Sequence, residues 1–178
     1  MQKRIAFVTM AIFAFTLAAA CQQDKGKRPS PPAQAKCNLA DGKSITIDYS
    51  SPRTKGRKIF GDLVPYGEVW RTGANEATTF VTQANLNIGG KAVPAGSYTI
   101  FTVPNVDKWT LIINKKTGEW GIPYKYESDE LARADMSASP TSSAVENFTI
   151  ALSGMGDHCS LNISWENTQA TIALMEKK

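Results

Sequence analysis

The seven residues from Trp70 to Glu76 hold an indole, a guanidinium, an amide and a carboxylate. Trp70 offers an apolar wall, Arg71 a forked donor, Asn75 a donor and an acceptor on one group, and Glu76 a charge. Gly73 and Asn75 are residue types that tolerate positive φ, so the chain can turn sharply between them. Such a turn projects Arg71 and Glu76 from either side of one loop. Two readings follow. In one, Arg71 pairs with Glu76, Asn75 bonds local backbone and Trp70 belongs to the core. In the other, the four side chains line a pocket for a small polar ligand. Burying an amide and a carboxylate without purpose is costly, which keeps the pocket reading open.

A second cluster lies upstream. "PRTKGRK", residues 52–58, sets Arg53, Lys55, Arg57 and Lys58 close together. At strand spacing three of them share a side, an arrangement that suits a carboxylate, sulfate or phosphate. The alternative is a solvated loop with Arg57 turned towards Glu76. Candidate ligand contacts are therefore Trp70, Arg71, Asn75 and Glu76, with Arg57 and Arg53 in support. His158 is the only histidine and reads as a loop residue beside Asp157. No nucleophile elbow accompanies it, and no histidine–cysteine spacing suggests a metal site or another cofactor. The carboxylates show no paired placement of the glycosidase kind. Trp109, Trp120, Tyr124 and Tyr126 suit sugar stacking and core or rim packing alike.

The N-terminus states an address. Lys3 and Arg4 precede an apolar run from Ile5 to Leu17, then "LAAAC" ending at Cys21. A basic start, a short apolar centre and a small-residue cleavage region make a signal peptide. The run is shorter than the ~20 residues of a bilayer span. The ending resembles a bacterial lipoprotein processing box, with Leu17 one residue further from the cysteine than usual. Residues 1–20 are thus expected to be removed, and Cys21 to carry the lipid. The 21–36 segment, "CQQDKGKRPSPPAQAK", reads as a flexible tether, and residues 37–178 as the domain. Localisation follows: the cell envelope, lipid-anchored, with Gln22 after the cysteine compatible with the outer membrane. Cys37 and Cys159 remain, either bridged in an oxidising compartment or buried as free thiols. From residue 37 onward 14 Lys and Arg face 15 Asp and Glu, so the net positive charge of +4 belongs to the N-terminal segments. That balance argues against a nucleic-acid partner.

These groups need a scaffold, and the pattern of the domain is strands and turns. "SITIDYS" alternates Ile45, Ile47 and Tyr49 against Ser44, Thr46 and Asp48. "KWTLIIN" sets Trp109, Leu111 and Ile113 against Thr110, Ile112 and Asn114. Gly89-Gly90 marks a tight turn. The runs "TTFVTQANLNI", "KAVPAGSYTIFTVP", "NFTIALSG", "CSLNISWE" and "QATIALM" complete about 8–10 strands. The expected class is all-β, a single sandwich of jelly-roll-like or immunoglobulin-like form. Residues 128–136 fit either a short helix capped by Ser128 or a strand presenting Ala132, Ala134 and Met136.

The blocks "GR.IFG.LVP.G.VWRTGANEAT", "G..VPAGSYTIFTVP", "W.LIIN" and "SWENT" cover nearly the whole mature domain. On them the chain resembles the bacterial secreted and lipoprotein group called domain of unknown function 2911. The resemblance implies a β-rich extracytoplasmic domain without assigned activity, and it tips residues 128–136 towards a strand. Three functional expectations result. The first is a membrane-tethered, non-enzymatic domain that binds a small polar ligand or an envelope partner. The second is an envelope hydrolase on carbohydrate or peptide, using Glu76 as acid or base. The third is a scaffolding lipoprotein that works through a sheet edge or face.

Overall fold

The computed structural model describes residues 25–177. Residues 1–24, and with them the signal-peptide and Cys21 expectations, lie outside the described part. Among the described residues nine strands form one antiparallel sheet in the order β1-β2-β3-β6-β7-β8-β9-β4-β5. They are β1 (Pro32–Asn38), β2 (Ser44–Ser50), β3 (Thr78–Thr82), β4 (Leu86–Ile88), β5 (Lys91–Val93), β6 (Gly96–Val103), β7 (Lys108–Asn114), β8 (Glu130–Met155) and β9 (His158–Glu176). The all-β expectation is met, with a single sheet folded over on itself. Residues 130–136 are strand, and Ala132, Ala134 and Met136 are buried. Only Glu127–Asp129, just before them, take a 3-10 turn.

The folding-over is visible in β8 and β9, which run on as long paired strands. Their register shifts between Pro140 and Val145 and again before Thr149. Across the bend the buried parity of β9 changes: Cys159, Leu161, Ile163 and Trp165 point inward on one side, Ala170, Ile172 and Leu174 on the other. Side chains alternate with period two, so the change requires the register shifts that flank the Val145–Glu166 pair. Glu166 itself takes φ +54. The bend lets the two halves enclose a core that includes Ile45, Ile47, Phe80, Leu111, Phe148 and Trp165. Continuations of β2 close the far side: Phe148 N–H donates to the Pro52 carbonyl at 2.8 Å, and Thr54 N–H to that of Glu146 at 2.9 Å. At the tip of the β4–β5 hairpin Gly89 and Gly90 both have positive φ. A Cβ on Gly89 would lie 2.8 Å from that of Ala134, so the close approach of hairpin to β8 excludes a side chain there.

One expectation is corrected. The tether segment 21–36 is not tether throughout, because β1 begins at Pro32 and pairs with β2 from Pro32↔Ser50 to Asn38↔Ser44. Its alternation is weak in sequence; only Ala35 and Cys37 are buried. Ile112 and Asn114 lie on the opposite side of β7 from Trp109, Leu111 and Ile113, as the alternation requires, and are fully buried as well. Residues 115–127 bring Tyr124 and Tyr126 onto the outer face, where they join Ala77, Phe101 and Ile112 in a second apolar cluster. Asn114 is satisfied there: its amide donates to the Tyr126 carbonyl at 2.8 Å and accepts from Lys116 N–H at 2.9 Å. Cys37 and Cys159 are joined in a disulfide, with Cα atoms 6.4 Å apart, linking β1 to β9 across the fold.

Candidate functional site

The backbone explains why Arg71 and Glu76 part company. Trp70 pairs with Thr102 through two hydrogen bonds of 2.8 and 2.9 Å, so this position behaves as strand. Strand alternation then sends neighbouring side chains to opposite faces. The Trp70 ring enters the main core, stacked on Trp165 at 5.9 Å and edge-on to Phe148 at 5.1 Å. Its indole N–H donates to the Gly73 carbonyl at 3.1 Å. Arg71 goes to the outer face, where its guanidinium lies 4.9 Å from the Trp120 ring centre and donates to the Trp120 carbonyl at 3.3 Å. Burial lowers the pKa of Arg71, which nevertheless stays charged.

Beyond Arg71 the loop is held by backbone geometry and buried hydroxyls. Thr72 and Asn75 have φ of +56 and +58, and Gly73 +156. The asparagine was readable as a turn residue; a buried threonine in the left-handed region was not. Thr72 meets the Thr102 hydroxyl at 3.1 Å, and Thr78 donates to the Thr72 carbonyl at 2.7 Å. These bonds offset the strain of the left-handed threonine.

The loop's polar side chains meet the N-terminal segment. Asn75 donates to the Ser30 carbonyl at 3.1 Å. One Arg28 guanidinium nitrogen donates to both Glu76 oxygens, at 2.7 and 3.0 Å, and Lys25 stands 3.7 Å away. Ser51 N–H donates to the Pro31 carbonyl at 2.9 Å. The Arg28 hydrogen bonds hold the Glu76 carboxyl below the ordinary carboxylate value, with further help from the charges of Arg28 and Lys25. Residues 25–31 thus form a strap across the 73–76 loop. Beside it lies a cavity of about 150 Å³ lined by Lys25, Arg28, Asp48, Tyr49, Ser50, Glu76 and neighbours. It is smaller than the ~300–1,000 Å³ of drug-sized sites.

Of the expected ligand residues, only Glu76 lines this cavity. Trp70 packs in the core, and Arg71 lies on Trp120 at the outer face, within electrostatic range of Glu76 but not bonded to it; the expected Arg71–Glu76 pair is replaced by Arg28–Glu76. Asn75 reaches the strap. Arg53 donates to the Ser51 carbonyl at 2.6 Å, and Arg57 to the carbonyls of Thr54 and Arg53 at 2.9 and 2.7 Å, with Glu76 not among its partners. Two carboxylates fix this basic loop. Glu146 accepts from Lys55 N–H at 3.0 Å and from the Thr54 hydroxyl. Glu166, in "SWENT", accepts from the N–H groups of Ile59 and Phe60 at 3.2 and 3.3 Å. Sequence reasoning missed Arg28, Lys25, Asp48 and Tyr49; nothing local marks Arg28, whose partner is 48 residues away. His158 sits beside Asp157 at 3.3 Å. Among the described residues no three His, Cys, Asp or Glu side chains gather as metal ligands.

The strap yields a first prediction. Glu76→Gln removes the charge that holds Arg28. The pair is partly exposed, so global stability falls by less than about 1 kcal/mol, while amide exchange of residues 28–32 accelerates. Acid does the same. A carboxyl depressed on folding contributes stability above its unfolded pKa, and that contribution is lost as pH falls through the folded one. Strap release therefore begins below the ordinary value of 4.5. Exchange at 28–32 that is unchanged by the substitution would refute the strap's dependence on Glu76.

Residues 30–174 match the model of a family described as protein of unknown function (DUF2911). No curated protein and no solved structure matches the chain.

Proposed function

The chain belongs to this family of unknown function, and from that premise we propose a lipid-anchored, non-catalytic binding domain of the bacterial cell envelope. Its ligand is a small charged molecule held in the cavity beside the strap. The observation that carries this reading is the lining itself, which brings two cations, Lys25 and Arg28, and two carboxylates, Asp48 and Glu76, to one cavity together with Tyr49. A zwitterion matches both signs. Its anionic end pairs with the cations and its ammonium with the carboxylates. The Glu76 side chain is 44% exposed, so an incoming molecule can reach it without unfolding the strap.

The hydrolase alternative draws no support from Glu76. A carboxylic acid that protonates a leaving group at neutral pH needs its pKa raised, and Arg28 pushes this one down. The scaffolding alternative has one observation in its favour: Trp120 and Ile122 are exposed together on the Arg71 side, at 55% and 42%. The anchor rests on the basic start, apolar run and "LAAAC" ending at Cys21, and the outer membrane on Gln22 after that cysteine. No helix among the described residues is long and apolar enough to cross a membrane.

A thermal-shift screen tests the ligand. Glycine, phosphoethanolamine, simple sugars, organic acids and metal salts are each added to the purified protein. A zwitterion is expected to raise the melting midpoint of the parent and not of Glu76→Gln, whose own transition stays cooperative. A screen in which zwitterions never outperform singly charged compounds overturns the reading.

A further inference from the structure

We propose that the end of the domain formed by the strap and the basic loop 53–58 docks on the anionic lipid surface of the membrane that holds the anchor. This rests on Cys21 carrying the lipid. Three observations support it. The first is local charge. Arg53, Lys55, Arg57 and Lys58 put four cations in six residues of a domain whose other residues from 37 onward carry a net charge of −5. The second is continuity with the strap, which adds Lys25, Lys27 and Arg28. Pro31 bonds Ser51, Arg53 reaches back to the Ser51 carbonyl, and Arg57 to that of Arg53. Seven cations thus lie along one connected end.

Four carboxylates among the described residues share this end, and the protein's own groups engage each of them. Glu76 accepts from Arg28, Glu146 from Thr54 and Lys55 N–H, and Glu166 from Ile59 and Phe60 N–H. Asp48, on the cavity wall, accepts from the Gln34 side-chain amide at 2.7 Å. The tip itself, Lys55 to Lys58, is exposed, its turn made by positive φ at Lys55 and Gly56.

The third observation is reach. Lys25 is four residues from Cys21, a covalent span of at most about 14 Å. A domain of this length has a radius of gyration of about 15 Å. So short a link keeps the strap end nearest the bilayer, where the negative surface potential of anionic lipid is within a Debye length of the cations. Each cation near such a surface favours contact by about fivefold.

The test uses the mature protein isolated from cells and reconstituted in phosphatidylcholine vesicles with or without phosphatidylglycerol. Intact mass reports the lipid on Cys21; hydrogen exchange reports the 54–59 amides. Slower exchange there only with phosphatidylglycerol is the expected result, reversed by high salt. Lys55→Glu with Lys58→Glu abolishes it, while acylation and melting are retained. Equal exchange in both vesicle types overturns docking and leaves an acylated anchor standing. A mature chain with unmodified Cys21 sinks the anchor and the docking with it.

Discussion

Trp70→Ala is expected to cost about 3–4 kcal/mol, read from the urea midpoint at unchanged slope. The size follows from what the indole touches. It lies 6.2 Å from Phe60, 6.4 Å from Trp109, 5.1 Å from Phe148 and 5.9 Å from Trp165. Removing it leaves a hole among the four rings packed around it, which a folded sheet cannot collapse to fill. Aromatic pairs contribute beyond their buried area. The substitution also removes the bond from the indole N–H to the Gly73 carbonyl, which helps place the 73–76 loop. Trp70→Phe separates the two effects. It keeps much of the packing, so most of its smaller loss comes from the ring volume and the missing donor, and strap exchange rises with it. Trp70 would return to the role of ligand wall if alanine cost under about 1 kcal/mol while abolishing a ligand-dependent thermal shift.

The same residues show what could be read in advance. Strands with one buried face announced themselves: Ile45 and Ile47 are fully buried as their alternation with Thr46 and Asp48 required. The Gly89-Gly90 turn followed from residue type alone. The continuity of β9 did not. Its period changes around Glu166, so "CSLNISWE" and "QATIALM" read as separate strands. The burial of Ile112 and Asn114 was not legible either, because a strand's second face can be covered by a distant segment, here Tyr124 and Tyr126. The site was legible in composition and not in pairing. Asn75 took the positive φ its type allows, yet its partner is Ser30, and that of Glu76 is Arg28. Periodicity reports which way a side chain points relative to its neighbours. It carries no information on which remote cation arrives there.

Cys37→Ala with Cys159→Ala is expected to destabilise the domain by about 3–4 kcal/mol, with a chain-entropy ceiling near 5 kcal/mol. The bridge spans 122 positions, so its loss frees nearly the whole domain in the unfolded state. Its placement sharpens the forecast. β1 is an edge strand whose only strand partner in the sheet is β2. Cys37 and Cys159 are both buried, and a Cβ on Gly154 would lie 3.1 Å from the Cys37 sulfur, so β1 is clamped against the β8–β9 hairpin. Without the bridge β1 keeps its ladder to β2 and loses its covalent hold on the other half of the fold. Local opening of β1 should then precede global unfolding. Because the strap leads directly into β1, the Arg28–Glu76 contact should loosen in the same variant while the Glu166 bonds to Ile59 and Phe60 persist. Urea titration gives the global loss, and amide exchange along residues 28–38 and 59–60 the local one. The parent protein under reductant should follow the double variant. Equal stability with and without the bridge, and unaltered exchange in β1, would show that pairing with β2 and apolar packing hold this edge by themselves.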